Sequence, residues 1–210
     1  MSTSTVSPPP AKAGRPDREA QRLATRERLL RVCVAEFQRR SFADTDVAAI
    51  VKAAGVSRGT FYFHFPTKGD VLGELRLREE RRIFAEVSPL VASAAPLEAV
   101  LRAVVTGILQ AEKRLGSDIL REMCAAQFHP DMVDADSFDE HPVAQLIFTA
   151  VERSWNKPKA GETLQQIGDL AFLFLIGIFG LLSTSNGPSA ERDRRVASLI
   201  SLTTKGLSIP

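Results

Sequence analysis

One stretch in the first third of the chain combines long hydrogen-bonding side chains with a glycine, a mixture that suits contact with duplex DNA. Base edges and phosphate oxygens are contacted by long or hydrogen-bonding side chains, and small residues serve where the backbone must approach closely. Arg58 and Thr60 meet the first need, and Gly59 meets the second. Tyr62, His64 and Lys68 add donors for phosphate oxygens, although each is also compatible with an ordinary surface position.

The residues that must position these side chains predict two short helices joined by a tight turn. Apolar residues recur at three- and four-residue spacing between Val47 and Ala54, and Asp46 is a good N-cap. Gly55 tolerates the left-handed conformation that ends a helix. Ser57 can cap a second helix, from Arg58 to about Phe63. Two aromatic residues are expected to face the core, namely Phe61 and Phe65. An ordinary helical hairpin would show a similar pattern.

The specific string of residues goes further than the general pattern and resembles the DNA-binding domain of the TetR family of bacterial transcription regulators. The residues that match the family's motif are Phe42, Thr45, Val47, Ile50, Ala54, Gly55, Val56, Ser57, Gly59, Thr60, Phe61, Tyr62, His64, Phe65 and Lys68. The resemblance implies a three-helix helix-turn-helix domain. Its implied DNA-binding residues are Thr45, Asp46, Ser57, Arg58, Gly59, Thr60, Phe61, Tyr62, His64 and Lys68.

The chain departs from the family's motif at Asp46 and at Gly69, and Gly73 follows one turn after Gly69. Asp46 replaces the usual hydroxyl residue, which keeps an N-cap but places a negative charge where a phosphate contact is expected. Gly69 and Gly73 each lower helix propensity by roughly 1 kcal/mol relative to alanine. The helix that follows the motif is therefore expected to be pliable at its start.

Charge is distributed unevenly along the 210 residues. Residues 1–82 contain 16 Lys and Arg against 10 Asp and Glu, whereas the remainder contains 11 against 15. A basic N-terminal part favours nucleic acid over a membrane surface as its partner, although a solvated basic face remains an alternative. Residues 1–16, rich in Ser, Thr and Pro, are predicted to be a disordered arm that either reaches DNA or only aids solubility.

The rest of the chain predicts further helices, so the expected fold is all-α with about nine helices. The first helix is predicted from Asp17 to Arg40, with an inner side of Leu23, Leu30, Cys33, Val34 and Phe37. The fourth is predicted to begin near Thr67 as N-cap. Later helices are predicted at about 96–115, 117–128, 142–155, 162–183 and 189–205. We therefore expect a DNA-binding domain at 17–66 and a ligand-binding and dimerisation domain at 67–210.

Thirteen consecutive apolar residues, Leu170 to Leu182, are too few to span a bilayer, which needs about 20. They predict a helix buried on all sides, either within its own core or against another chain. In the TetR family the last two helices form a four-helix interface in a homodimer. The residues that the resemblance assigns to this interface are Phe172, Ile176, Phe179, Val196, Leu199, Ile200 and Thr203. Burial within the subunit remains the alternative.

The resemblance also implies a small-molecule effector whose binding moves the fourth helix and changes the separation of the two DNA-reading helices. Apolar and aromatic residues with one amide suit a mostly hydrophobic ligand, although such residues more often form plain core. The candidates are Phe84, Met123, Gln127, Phe128, Phe148, Trp155 and Phe172.

Two other features have residue types found in metal or redox sites. The acidic segment from His129 to His141 does not have the ligand spacing of a calcium-binding EF-hand loop, so it is interpreted as a solvated loop, with a metal site as the alternative. Cys33 and Cys124 lack paired spacing and are interpreted as buried small residues in a reducing cytoplasm.

The sequence contains no phosphate-binding glycine loop, nucleophile elbow or zinc-protease motif, so we expect neither an enzyme nor a cofactor. Two hypotheses follow. The first is a cytoplasmic, ligand-responsive homodimeric repressor that binds a palindromic operator and is released by a hydrophobic effector. The second is a helical ligand-binding or interaction protein that has no sequence-specific DNA binding.

Overall fold

The computed structural model describes residues 18–126, 141–155 and 164–206, and every regular element within these ranges is an α-helix. The all-α prediction is therefore confirmed. The helices are α1 (Arg18–Arg40), α2 (Val47–Ala54), α3 (Arg58–His64), α4 (Gly69–Ala92), α5 (Leu97–Leu115), α6 (Ser117–Ala126), α7 (Pro142–Ser154), α8 (Leu164–Ser183) and α9 (Ala190–Gly206). The disordered arm predicted at 1–16 lies outside the described residues.

The predicted capping residues fix the ends of α2 and α3. The Asp46 carboxylate accepts a hydrogen bond of 3.0 Å from the amide of Ala48. Gly55 ends α2 with φ of 63°, a left-handed conformation that glycine adopts without steric cost. The Ser57 hydroxyl then accepts a bond of 3.1 Å from the amide of Thr60 at the start of α3. The predicted turn is confirmed.

The buried apolar residues form two clusters. The N-terminal cluster is centred on residues of α1 to α4 that are almost completely buried, among them Leu29, Cys33, Phe37, Ile50, Phe61, Phe65 and Val71. The C-terminal cluster lies between the second half of α4 and helices α5 to α9. Cys33 and Cys124 are buried free thiols, as predicted, and burial raises the pKa of each to about 12.

One predicted core position on α1 is wrong. Leu23 is 51% exposed, because the first turns of α1 extend beyond the helices that cover its later turns. Leu29 is completely buried and takes part in the N-terminal cluster, although it was not among the predicted inner residues. Leu30, Cys33 and Phe37 are buried as expected.

Helix α4 belongs to both clusters. Val71, Leu72 and Leu75 lie in the N-terminal cluster, whereas Ile83 and Val87 lie in the C-terminal one. The helix begins at Gly69 and is held by a reciprocal cap between Thr67 and Asp70. The Thr67 amide donates to the Asp70 carboxylate at 2.6 Å, and the Asp70 amide donates to the Thr67 hydroxyl at 3.2 Å.

Helix α4 also extends further than the sequence pattern indicates, through Pro89 to Ala92. Pro89 is exposed and lies in the last turn of α4. Its missing N–H removes one backbone hydrogen bond there, and the helix ends three residues later. Because α4 enters both clusters, the predicted domain division between residues 66 and 67 stays a prediction.

Helices α8 and α9 pack closely at Gly177, where a β-carbon would lie 2.9 Å from the Leu199 side chain. A buried ion pair fixes the start of α9 against α5, since one Arg192 nitrogen lies 2.9 Å from both oxygens of Glu112. Within the described ranges, no helix has both the length and the apolar character that crossing a bilayer requires.

Candidate nucleic-acid interface and ligand cavity

Helix α3 has one buried and one exposed side. Phe61 and His64 face the N-terminal cluster, and Phe65 follows them at the helix end. Because successive helical residues are rotated by roughly 100°, the opposite side is centred on Gly59, with Tyr62 and Phe63 on either side of it. The absence of a side chain at Gly59 leaves a shallow place in the middle of this outer face.

The outer face of α3 carries the groups that could contact DNA. Tyr62 is 48% exposed and Phe63 is 72% exposed. Arg58 is exposed at the first position of the helix, and the Thr60 hydroxyl lies 2.9 Å from that of Ser57. The caps therefore order the polar end of the face, and the aromatic rings form its other end.

Phe63 was missed by the sequence analysis because its position is variable in the family's motif. The spacing contained a usable signal, since Phe63 lies roughly 100° from Tyr62 on a helix whose inner side is fixed by Phe61. Together with Tyr62, Phe63 places exposed aromatic surface on this face of α3.

Three residues assigned to DNA contact by resemblance have buried side chains. Phe61 is completely buried, and Thr45 is only 3% exposed because its hydroxyl donates to the carbonyl of Ser41 at 2.6 Å. His64 is 7% exposed, with its ring edge-on to Phe63. The structure therefore does not support direct side-chain contact with DNA from these three residues. Their positions instead support the placement of α3.

The environment of His64 opposes its protonation. Burial and the positive charges of Arg26 and Arg22 lower the pKa of His64 from its ordinary value. Arg26 itself donates to the His64 carbonyl and lies over the Phe65 ring, with 4.3 Å from its guanidinium carbon to the ring centroid. Arg26 also pairs with Glu74 of α4 at 2.9 Å. The end of α3 is thus fastened to both α1 and α4.

Lys68 has a different environment from the one that the resemblance implies. Its ammonium donates to three backbone carbonyls of the α1–α2 loop, those of Phe42 at 2.6 Å, Ala43 at 3.2 Å and Thr45 at 3.1 Å. The same nitrogen lies 4.5 Å from the centroid of the Phe42 ring. Since all three donors of the ammonium are engaged, Lys68 holds the loop and is not available to a phosphate in this conformation.

A second concave feature lies in the C-terminal cluster. It is a cavity of about 60 Å³ with a polar end formed by Arg76, Glu79 and Glu80 of α4 together with His141. The remaining wall is apolar and is formed by Ile83, Ile108, Ala111, Leu120, Met123, Cys124, Val143, Ala144, Leu175 and Phe179. Helices α4 to α8 all contribute to this wall.

Charged groups at the polar end of the cavity form an ordered set of contacts. Arg76 donates to one oxygen of Glu80 at 2.6 Å and contacts Nδ1 of His141 at 3.1 Å. The neighbouring His141 and Arg76 side chains hold the pKa of Glu80 below its ordinary value, although burial opposes this shift. The carboxylate of Glu79 pairs with Arg82 and Arg114.

Comparison with known proteins finds sequence relatives for part of the chain. Residues 29–75 match the family model described as bacterial regulatory proteins, tetR family. The regulator EthR of Mycolicibacterium smegmatis is 44% identical over 71 residues, which cover 32% of this chain and 30% of EthR. EthR of Mycobacterium tuberculosis is 48% identical over 56 residues, or 27% of this chain and 23% of that protein.

A solved structure extends the likeness beyond the N-terminal part. FadR of Thermus thermophilus, a TetR-family transcriptional repressor in complex with lauroyl-CoA, has a TM-score of 0.67 and 25% identity. The match covers 88% of this chain and 96% of FadR. Residues 29–75 therefore carry a TetR-family DNA-binding domain. These matches confirm the resemblance to that family.

The two EthR alignments span less than a third of those relatives' own length. The family model likewise covers only residues 29–75, whereas the FadR structure matches the fold over 88% of the chain. The relatives are named as transcriptional regulators, in agreement with the expectation that the chain is not an enzyme.

Most of the residues that were predicted to contact the effector do not line the cavity. Met123 lines it, whereas Phe84 is 40% exposed on α4, and Phe148 and Phe172 are half-buried outside the lining. Trp155 borders a separate surface groove between α8 and α9. Gln127 and Phe128 lie outside the described residues, as does the acidic segment up to residue 140. Aromatic composition could not identify the wall, because most of the wall is aliphatic.

The predicted dimer residues also separate into two groups. Val196, Ile200 and Thr203 are at most 6% exposed, so they are already covered within the subunit and do not present a surface. Phe179 lines the cavity. The others are half-buried, namely Phe172, Ile176 and Leu199. Two leucines that were not predicted, Leu173 and Leu202, are 60% and 70% exposed and border the same groove.

Proposed function

We propose that this protein is a homodimeric transcriptional repressor whose outer α3 face binds one half of a palindromic operator. The observation that carries the proposal is the exposed face formed by Arg58, Gly59, Tyr62 and Phe63 above a helix that is capped and buried on its other side. A rigid helix with one polar, partly aromatic side and a small residue in its centre suits entry into the major groove.

Several predicted DNA-binding residues retain a direct role in this proposal. Arg58, Thr60 and Tyr62 are the candidates for contacts to base edges and phosphates. Asp46 and Ser57 act through their caps, because these caps orient the amides at the starts of α2 and α3. The negative charge of Asp46 makes its own phosphate contact unfavourable.

Two features support dimerisation: the symmetry of a palindromic operator and the exposed apolar surface of α8 and α9. A palindrome requires two copies of α3, one for each half-site, with half-sites roughly 34–36 Å apart for each helical turn. Leu173 and Leu202 place exposed apolar surface on neighbouring helices. We therefore assign the contact between subunits to these two leucines together with Phe172, Ile176 and Leu199.

The effector site of the proposed repressor is the cavity beneath α4. Its volume of about 60 Å³ is well below the roughly 300–1,000 Å³ of typical ligand sites, so a ligand must separate the surrounding helices. Three cavity residues, Arg76, Glu79 and Glu80, belong to α4, which also enters the N-terminal cluster. Expansion of the cavity would therefore move α3 through α4 and weaken operator binding. The lauroyl-CoA complex of FadR supports an effector with an apolar part.

The proposal is tested by selecting bound fragments from sheared genomic DNA and measuring their affinity against random duplex at several salt concentrations. We expect strongly salt-dependent, sequence-selective binding that Arg58→Ala or Tyr62→Ala reduces. Arg102→Ala is the matched control for Arg58→Ala, because Arg102 is an exposed arginine on α5. Equal affinity of the native dimer for selected fragments and random duplex would instead favour a ligand-binding protein without sequence-specific DNA binding.

A further inference from the structure

The polar end of the cavity contains a buried acceptor that no described group satisfies. Oε1 of Glu80 accepts from Arg76 at 2.6 Å and lies 3.6 Å from Nδ1 of His141. Oε2 of the same carboxylate is buried and has no hydrogen-bond partner among residues 18–126, 141–155 and 164–206. Buried carboxylate oxygens are normally paired, because an unsatisfied acceptor loses its hydration without compensation.

The neighbouring charged groups are already engaged with one another. Glu79 is paired on both of its oxygens, by Arg82 and Arg114. Arg76 pairs with Glu80, and in its 3.1 Å contact with Nδ1 of His141 the guanidinium is the donor because it has no acceptor atom. The unsatisfied group at this end of the cavity is therefore Oε2 of Glu80, a hydrogen-bond acceptor.

We propose that Glu80 is a ligand-binding residue whose Oε2 accepts a hydrogen bond from a neutral hydroxyl on an otherwise apolar effector. This inference rests on the proposed function, since it assigns the chemistry of the same effector site. The aliphatic wall formed by residues such as Ile83, Ile108 and Leu175 would enclose the apolar body of the molecule. A hydroxyl bonded to a carboxylate forms a charge-assisted hydrogen bond, which is stronger than a bond between neutral groups.

The same geometry disfavours charged head groups. A carboxylate would face the acidic side chains of Glu79 and Glu80 while the nearest cation, Arg76, is already paired. An ammonium group would lose its hydration on entering a mostly apolar cavity, and the charge of Glu80 is already balanced by Arg76. A neutral donor avoids both costs.

The test uses three probes of equal chain length, 1-octanol, octanoate and octylamine, with the full-length protein and titration calorimetry in the absence of DNA. We expect 1-octanol to bind about tenfold more tightly than either charged probe, because one charge-assisted hydrogen bond separates them. Tighter or equal binding of octanoate or octylamine would overturn the assignment, and so would a lack of binding by all three probes.

Two matched variants locate the contact. Glu80→Gln removes the charge with little change in shape and should weaken 1-octanol binding several-fold, whereas Glu86→Gln, an exposed position on the same helix, should leave it unchanged. Circular dichroism and the Tm of each variant verify folding. Unaltered 1-octanol affinity in folded Glu80→Gln would overturn the role of Glu80.

Operator binding by the same preparations separates this inference from the proposed function. Protein that binds 1-octanol through Glu80 but no DNA would refute the repressor and keep the ligand site. Protein that binds its operator but discriminates against 1-octanol would refute the ligand site and keep the repressor.

Discussion

The carboxylate of Asp118, in the first turn of α6, accepts a hydrogen bond of 3.0 Å from the backbone amide of Phe42 in the α1–α2 loop. A second bond lies beside it, in which the Gln38 side chain donates to the carbonyl of Leu115 at 3.0 Å. Ile119 and Met123 of α6 are buried in the N-terminal cluster, and Met123 also lines the cavity. Helix α6 is thus a second connection, beside α4, between the cavity and the DNA-binding domain.

Removal of the Asp118 acceptor should loosen the α1–α2 loop. A hydrogen bond to a charged group contributes about 1.5–3 kcal/mol, so Asp118→Ala should speed exchange of the Phe42 amide hydrogen roughly 10- to 100-fold. Asp118→Asn keeps an acceptor at the same place and should change the exchange rate much less. Amide hydrogen exchange followed by NMR measures both variants, and equal rates in wild type and Asp118→Ala would show that the bond does not hold the loop.

Lys68 should contribute to stability and not to the ionic component of DNA binding. Its ammonium satisfies three carbonyls and contacts the Phe42 ring, so Lys68→Met should lower the free energy of unfolding by about 1–3 kcal/mol. Urea denaturation measures this loss. A lysine that binds phosphate behaves differently, because its removal reduces the salt dependence of DNA binding by about one unit of slope. If Lys68→Met left stability unchanged and reduced the salt dependence of DNA binding, Lys68 would instead be a phosphate contact.

The two helices of the helix-turn-helix could be predicted from the sequence alone because interactions between residues close in the chain determine their ends. Asp46, Gly55 and Ser57 act on amides and carbonyls within a few residues of themselves, so their roles follow from spacing. The inward positions of Phe61 and Phe65 follow from helical periodicity in the same way. The two short helices of the motif and the turn between them could therefore be predicted before any coordinates were known.

Contacts between distant segments could not be predicted in this way. Lys68 binds a loop about 25 residues earlier in the chain. A sequence motif gives residue types but not the direction of a long, flexible side chain. The cavity wall combines mostly aliphatic residues from five helices. No single segment of the sequence therefore predicts the cavity. The burial of Val196 and Ile200 within the subunit likewise depends on how α9 packs, which periodicity leaves open.

Acid should destabilise the N-terminal domain through His64. Burial, with the charges of Arg26 and Arg22, lowers the pKa of His64 in the folded protein below its unfolded value of about 6.5. The unfolded chain then binds more protons between the two pKa values, so stability rises with pH across that window and is lost as pH falls below about 6.5. Denaturant titrations at several pH values from about 5 to 8 measure this slope.

A substitution identifies the group responsible for this pH dependence. His64→Gln cannot be protonated, so it should flatten the part of the stability profile near pH 6 even if it lowers stability overall. Glu74, which pairs with Arg26 from α4, titrates in a lower range because Arg26 and Arg78 hold its pKa below the ordinary value. A slope near pH 6 that persists in His64→Gln would contradict the assignment.

Phe63 should contribute to operator selectivity without contributing to ionic attraction. It is 72% exposed beside Gly59 and Tyr62 on the outer face of α3, where a phenyl ring can contact the methyl group of thymine in the major groove. Phe63→Ala should therefore weaken operator binding by about 1 kcal/mol, the scale of burying one methyl group. Binding to random duplex, and its salt dependence, should stay unchanged because no positive charge is removed.

Phe84→Ala is the matched control for Phe63→Ala, since Phe84 is also an exposed phenylalanine but lies on α4, away from the outer face of α3. Fluorescence anisotropy with operator and random duplexes at several salt concentrations measures both variants. A further comparison replaces each operator thymine in turn with uracil, which lacks the methyl group. The substitution that weakens wild type but not Phe63→Ala identifies the contacted base. Equal losses on operator and random duplex in Phe63→Ala would show instead that the ring only supports the position of α3.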